Sequence, residues 1–377
     1  MISPSPQLHW IENDEPRSCR WHAENGAPPP KRVQIADDRM NTDTAYKLAC
    51  EGTALLWRGD FHNGKQLLQS LARRIDKKPT KKVKTPANAT EAFHLHRQAQ
   101  SQRARVLAMV LIPFEADYSI SLRRAPDVRL ACTEVYGPPS DAFVASLREL
   151  LGLIGAHEWR KNGVAIKALD AKIHPYYGVF SPVRGEYIDL VAKAPLPSTD
   201  LAFDIGVGTG VLSAVLAKRG VKKIIATDQD QRALACADEN LRTLGFADRV
   251  TLKEADLFPE GRAPLVVCNP PWIPARPNSP IEYAVYDPDS QMLKRFLAGV
   301  SAHLEPNGEA WLIMSDFAQH LGLRSNEEFF QWIDAGGLTV IGKLDIKPQH
   351  PKSTDATDPL HAARVKEVTS LWRLKLK

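Results

Sequence analysis

The sequence is short of everything that would staple, load or anchor a chain. Its five cysteines, at 19, 50, 132, 236 and 268, form no CxxC pair and no closely spaced even set, which argues against a disulfide framework and for reduced thiols. None of the eleven histidines stands in an HExxH arrangement, and the pair in "HLH" at 94–96 falls on different sides of a helix, so no metal is expected. The longest apolar run, "VLAMVLIPF" at 106–114, is far too short to cross a bilayer. The first residues lack the basic start and apolar stretch of a secretory signal, which makes the cytoplasm the expected compartment.

What is present is ordinary in amount and uneven in distribution. With 377 residues, 44% hydrophobic and 25% charged, the chain has material for two folded units. Residues 1–199 carry 28 basic and 21 acidic side chains, a balance of +7 against a whole-chain net charge of +5. The densest stretch, "RRIDKKPTKKVK" at 73–84, sets seven cations against one carboxylate. It suits a phosphate-bearing surface, or a solvated linker.

Residues 1–40 are rich in Pro, Asn, Asp and Glu and are expected to be poorly ordered. From 41 to 163 the apolar spacing is mainly helical, in "TAYKLACEGTALLW", "NGKQLLQSLARR", "ATEAFHLHRQAQSQRARVLAMVLI" and "SDAFVASLRELLGLIG", with Ser140 as a plausible N-cap. Two weaker stretches, "YSISLRR" and "VRLACTEVYG", read as short strands, and a basic linker covers 77–89. This segment is expected to be a helical substrate-recognition domain.

From 164 to 377 strands and helices alternate. Strands are predicted near 201–205, 222–227, 249–254, 264–268 and 309–314, and the tail stretches "GLTVIGKLDIKP" and "EVTSLWRLKLK" read as an antiparallel pair. That order implies an α/β fold: a parallel, doubly wound sheet ending in a reversed strand.

Within it, "LAFDIGVGTGVLSAVLAKRG" is a strand, an acid, a glycine loop and a helix. Glycines at 206, 208 and 210 (Gly206, Gly208, Gly210) allow a tight turn and close approach of a ligand to the backbone. A dinucleotide GxGxxG would need glycine where Val211 or Ser213 stands, so NAD is disfavoured. The next strand ends in Asp228, where a carboxylate can accept both ribose hydroxyls. One strand on, Asp256 and Leu257 can meet an adenine amine and ring. One such acid, Asp204, Asp228 or Asp256, would be a turn or cap; three in register outline a ligand with adenine, ribose and a cationic end.

The remaining signal is "VVCNPPWIPAR" at 266–276. Two prolines make a stiff, donor-poor corner after an apolar strand. Asn269 Oδ1 and the Pro270 carbonyl can each accept one N–H of an sp2 NH2 group, Pro271 stiffens the turn, and Trp272 offers a face for stacking.

These elements resemble the class I S-adenosylmethionine-dependent methyltransferases: "DIGVGTG" their first motif, Asp228 their ribose acid, "ADLF" their adenine contact, "NPPW" their catalytic motif. The resemblance covers about 175–377 and implies a seven-stranded Rossmann-like sheet with an antiparallel last strand, with S-adenosyl-L-methionine as cofactor. "NPPWIP" resembles HemK-type glutamine methyltransferases, although Trp272 stands where they usually have Tyr. "YGVFSPVRGEYIDL" at 177–190 resembles the lead-in of RsmC-type ribosomal RNA guanine methyltransferases, which implies that Phe180 and Ser181 help to close the cofactor pocket. The expected activity is N-methylation of a macromolecule, with RNA favoured over a protein glutamine; a catalytically silent binding module is the third reading.

Overall fold

The computed structural model describes residues 6–77, 86–182, 185–277, 280–349 and 354–377; most of the basic run at 73–84 lies outside them. The chain divides into two compact units, 1–85 with 94–158, and 86–93 with 159–377.

The first unit carries the expected helices on a six-stranded mixed sheet, and that sheet was not expected. Its strands are β1 (Gln7–Glu12), β2 (Glu15–Trp21), β3 (Arg32–Ala36), β4 (Thr53–Trp57), β5 (Val110–Phe114) and β6 (Phe143–Ser146), in the order β1-β2-β6-β5-β4-β3. Three of them occupy the segment expected to be poorly ordered. The reason is local: Asn13 and Asp14 both take positive φ, 54° and 61°, as a two-residue hairpin turn demands and as Asn and Asp tolerate. The hairpin then buries Leu8 and Trp21 against Ala54, Leu56, Leu111 and Val144. Strands β4, β5 and β6 are apolar runs of four or five residues, whose length hides their period inside neighbouring helical patterns. Thus the helix expected from Ser140 begins at Leu147, after β6, and "VRLACTEVYG" holds a helix at Arg129–Tyr136.

The second unit opens with a small pair, β7 (Val164–Ile166) and β8 (Ala171–Ile173). Its main sheet has seven strands: β9 (Leu201–Ile205), β10 (Lys223–Asp228), β11 (Val250–Glu254), β12 (Ala263–Cys268), β13 (Leu304–Ser315), β14 (Leu338–Ile346) and β15 (Thr369–Leu376). The order is β11-β10-β9-β12-β13-β15-β14, with β15 antiparallel to both neighbours. Alternation decides the layers. Ala202, Leu265, Val267, Trp311 and Ile313 face the helices Val211–Lys218 and Gln231–Thr243, while Phe203, Val266, Cys268, Ala310 and Leu312 face Gln291–Gly299 and Asn326–Ala335. No helix among the described residues is long and apolar enough to cross a membrane.

This order fixes where a site can lie. The chain runs from β9 outward to β10 and β11, then returns to the other side of β9 with β12. In open α/β sheets a ligand crevice lies at such a reversal, which here falls beyond the carboxyl ends of β9 and β12.

Candidate active site

Both halves of the predicted constellation sit at this crevice. Cys268 of β12 pairs with Ile205 of β9, so Asn269 and Gly206 leave neighbouring strands together, about 4.8 Å apart by strand spacing. Gly206 and Gly210 adopt φ of 78° and 79°. At Gly210 a Cβ would also press on Ala237 and Leu241 at 3.3 Å, so the helix Gln231–Thr243 closes against the corner only because the side chain is absent.

Asp204 lies under the corner, 1% exposed. Ser213 Oγ donates to its Oδ2 at 2.6 Å, whereas its Oδ1 is buried without a hydrogen-bond partner. Burial, reinforced by the nearby charge of Asp228, pushes this carboxyl up to about 7. Asp228, at the end of β10, accepts the Gly208 N–H at 3.1 Å and the Asp230 N–H at 3.0 Å; burial raises it too, against those hydrogen bonds. Two desolvated carboxylates, one with an oxygen unpartnered, fit a ligand that brings positive charge and hydroxyl donors. S-adenosylmethionine has both, and Asp204, Gly206, Gly208 and Asp228 are the residues that would hold it.

The other predicted contacts are more varied. Leu257 is buried with φ of 75°, and its carbonyl accepts from Thr227 Oγ1 at 2.5 Å. Asp256 is exposed, with Oδ1 taken by Gln229 at 2.7 Å and Oδ2 by Arg295 at 2.5 Å. An adenine amine would compete with Gln229 there. Phe180 is half-buried against the apolar layer that holds Val207 and Val211, and Ser181 Oγ accepts the Trp159 indole N–H at 3.2 Å.

At the proline corner Pro270 is buried and Pro271 half-buried. Trp272 is half-buried and packs against both apolar layers, edge-on to Tyr187 with ring centroids 6.4 Å apart. Its indole N–H donates to Asn269 Oδ1 at 3.0 Å. Beyond it, Ile273 bridges to Tyr286: the Ile273 N–H donates to Val285 O at 3.1 Å and its carbonyl accepts from Asp287 N at 2.9 Å.

Three residues that the sequence reasoning passed over complete the frame. Asn240, 2% exposed, accepts the His174 N–H at 2.7 Å and donates to the Thr209 carbonyl at 3.0 Å, tying the lead-in to the glycine corner. Its signal was a polar residue in the apolar stripe of a helix. Ser213 was legible only as the residue that breaks a dinucleotide fingerprint. Arg324, 4% exposed, reaches the Trp272 carbonyl at 3.5 Å, with burial lowering it to about 10 against the pull of Asp287; nothing in its sequence context marks it.

Sheet order, glycine corner and acids together define a class I S-adenosylmethionine-dependent methyltransferase. More particularly, residues 177–332 match the family model described as the methyltransferase small domain. Relatives agree. The chain is 28% identical over 160 residues to a putative protein N5-glutamine methyltransferase of Methanocaldococcus jannaschii, covering 40% of this chain and 79% of the relative. It is 31% identical over 144 residues to the tRNA1(Val) (adenine(37)-N6)-methyltransferase of Shewanella loihica, covering 35% and 59%. To the release factor glutamine methyltransferase of Cereibacter sphaeroides it is 32% identical over 197 residues, covering 48% and 66%.

Proposed function

We propose that this enzyme methylates a planar NH2 nitrogen of a macromolecule, an exocyclic base amine of RNA. The observation that carries the reading is the register of β9 with β12, which sets Asn269 beside the glycine corner. S-adenosylmethionine supplies an electrophilic methyl whose bonding pair returns to sulfur. Asn269 Oδ1 and the Pro270 carbonyl accept the two N–H bonds of the amine, which frees its lone pair from the ring to attack the methyl; the ammonium so formed then loses one proton to water.

RNA is supported by charge and by chain path. The basic run ends at Lys84, two residues before Pro86, and Pro86–Phe93 belongs to the catalytic unit. Phe93 there shares an apolar cluster with Ile273 and Ala275, just past Trp272. A basic stretch so close in sequence to that point suits phosphates, with a base presented unstacked. The tRNA adenine relative supports the same reading. A protein glutamine is the second reading, supported by the names of two relatives. A soluble enzyme of the cytoplasm suits either substrate.

The deciding experiment offers labelled S-adenosylmethionine with total RNA and with purified release factors as acceptors. Label in RNA, lost with Asn269→Ala while cofactor binding persists, is the expected result; label on protein alone defeats the RNA reading.

A further inference from the structure

The bond from the Trp272 indole to Asn269 changes what the tryptophan does. A carboxamide has an acceptor end and a donor end, and a half-turn about its last torsion exchanges them. In the wrong orientation the Asn269 NH2 would face an incoming NH2, donor against donor. An indole N–H can only donate, so it accepts one orientation alone. The indole itself cannot follow a flip. It is clamped between both apolar layers and Tyr187, its carbonyl is reached by Arg324, and the next residue is fixed by the bridge to Tyr286.

We infer that Trp272 is a positioning residue that locks the Asn269 amide with Oδ1 as the acceptor, leaving the second lone pair of that oxygen for the substrate amine. The inference rests on the N-methylation reading above and deepens it. It also gives a reason for tryptophan at this position, because Phe has no donor, and a Tyr hydroxyl both donates and accepts and would satisfy either amide orientation.

The role predicts an interaction that stacking alone would not produce. The carboxylate introduced by Asn269→Asp has two equivalent oxygens and no wrong orientation, so the orienting bond loses its purpose there. Four proteins are compared: wild type, Trp272→Phe, Asn269→Asp and the double variant, with labelled S-adenosylmethionine and both total RNA and purified release factors as acceptors. In the wild-type background, Trp272→Phe is expected to lower kcat about tenfold with KM and cofactor affinity within about twofold. In the Asn269→Asp background the same change is expected to cost about twofold or less. Equal losses in both backgrounds, or a loss confined to KM, assign Trp272 to stacking and overturn the inference while N-methylation stands. No label from wild type on either acceptor removes the N-methylation reading, and the orienting role with it.

A second measurement needs no substrate, and decides the matter if Asn269→Asp is inactive. With asparagine selectively labelled by 15N, the Asn269 side-chain signal, assigned by its absence in Asn269→Ala, should be single in wild type and split or broadened by exchange in Trp272→Phe. A single sharp signal at the same position in Trp272→Phe sinks the proposal.

Discussion

Lowering the pH from 7 to 5 should weaken cofactor binding through Asp204 before it unfolds the protein. The carboxyl is buried, holds one unpartnered oxygen, and is pushed by burial up to about 7. A cationic ligand beside it favours the ionised form, so the apparent dissociation constant is the intrinsic one divided by the ionised fraction. That fraction is about one half at pH 7, one in eleven at pH 6 and one in a hundred at pH 5. Affinity should therefore fall about fivefold over the first unit and about fiftyfold over both.

Isothermal titration at pH 5, 6 and 7, each in two buffers of different ionisation enthalpy, gives the affinity and the proton count. Binding at pH 6 should release about one proton. Asp204→Asn should bind more weakly at pH 7 and lose most of the slope. The unliganded protein should behave oppositely. Its folded carboxyl titrates higher than the unfolded one, so the native state holds the extra proton between about pH 4 and pH 7. The contribution of Asp204 to stability is then fully present below about pH 4 and declines by up to about 1.4 kcal/mol per unit as pH rises through that window. Affinity that is flat from pH 5 to 7, or a slope unchanged in Asp204→Asn, would show that this carboxylate does not face the bound cation and would refute the reasoning.

Asp228→Ala should abolish measurable cofactor binding in the same titration, and undiminished affinity would contradict the ribose assignment. Asn269→Ala should bind cofactor within about twofold of wild type yet transfer no label. Gly210→Ala puts a side chain at φ 79° and 3.3 Å from Ala237; urea unfolding should show a loss of about 1–3 kcal/mol, and cofactor affinity should fall with it.

The catalytic unit was legible because its signals are periodic and local. Five parallel strands, most of them separated by helices, glycines after an acid, and an acid closing the next strand are each visible within a few residues, and sheet topology alone then brings Asp204, Asp228 and Asn269 to one edge. The sheet of the amino-terminal unit was not legible for the converse reason. Its β4, β5 and β6 are four- or five-residue apolar runs that abut helices or follow them closely, and at that length a period of two cannot be told from one of 3.6. The hairpin signal at Asn13-Asp14 was outweighed by the polar composition around it.

The site divides the same way, and the division is physical. Residues proposed to line the ligand site are advertised by what they must avoid: a Cβ at Gly206 and Gly210, a backbone donor at Pro270 and Pro271. Residues that hold those in place act through contacts made across the fold, as Asn240 does between His174 and Thr209 and as Arg324 does at the Trp272 carbonyl. Trp272 belongs to both groups. Read from the sequence it was a face for a flat substrate; in the structure it is half core, and its one polar side-chain atom is spent on the neighbour proposed to accept the substrate's hydrogen bond. A residue whose donor points at a catalytic acceptor competes with the substrate unless that acceptor has a second lone pair. An amide oxygen has one, which is why the same bond can hold Asn269 in place without closing the site.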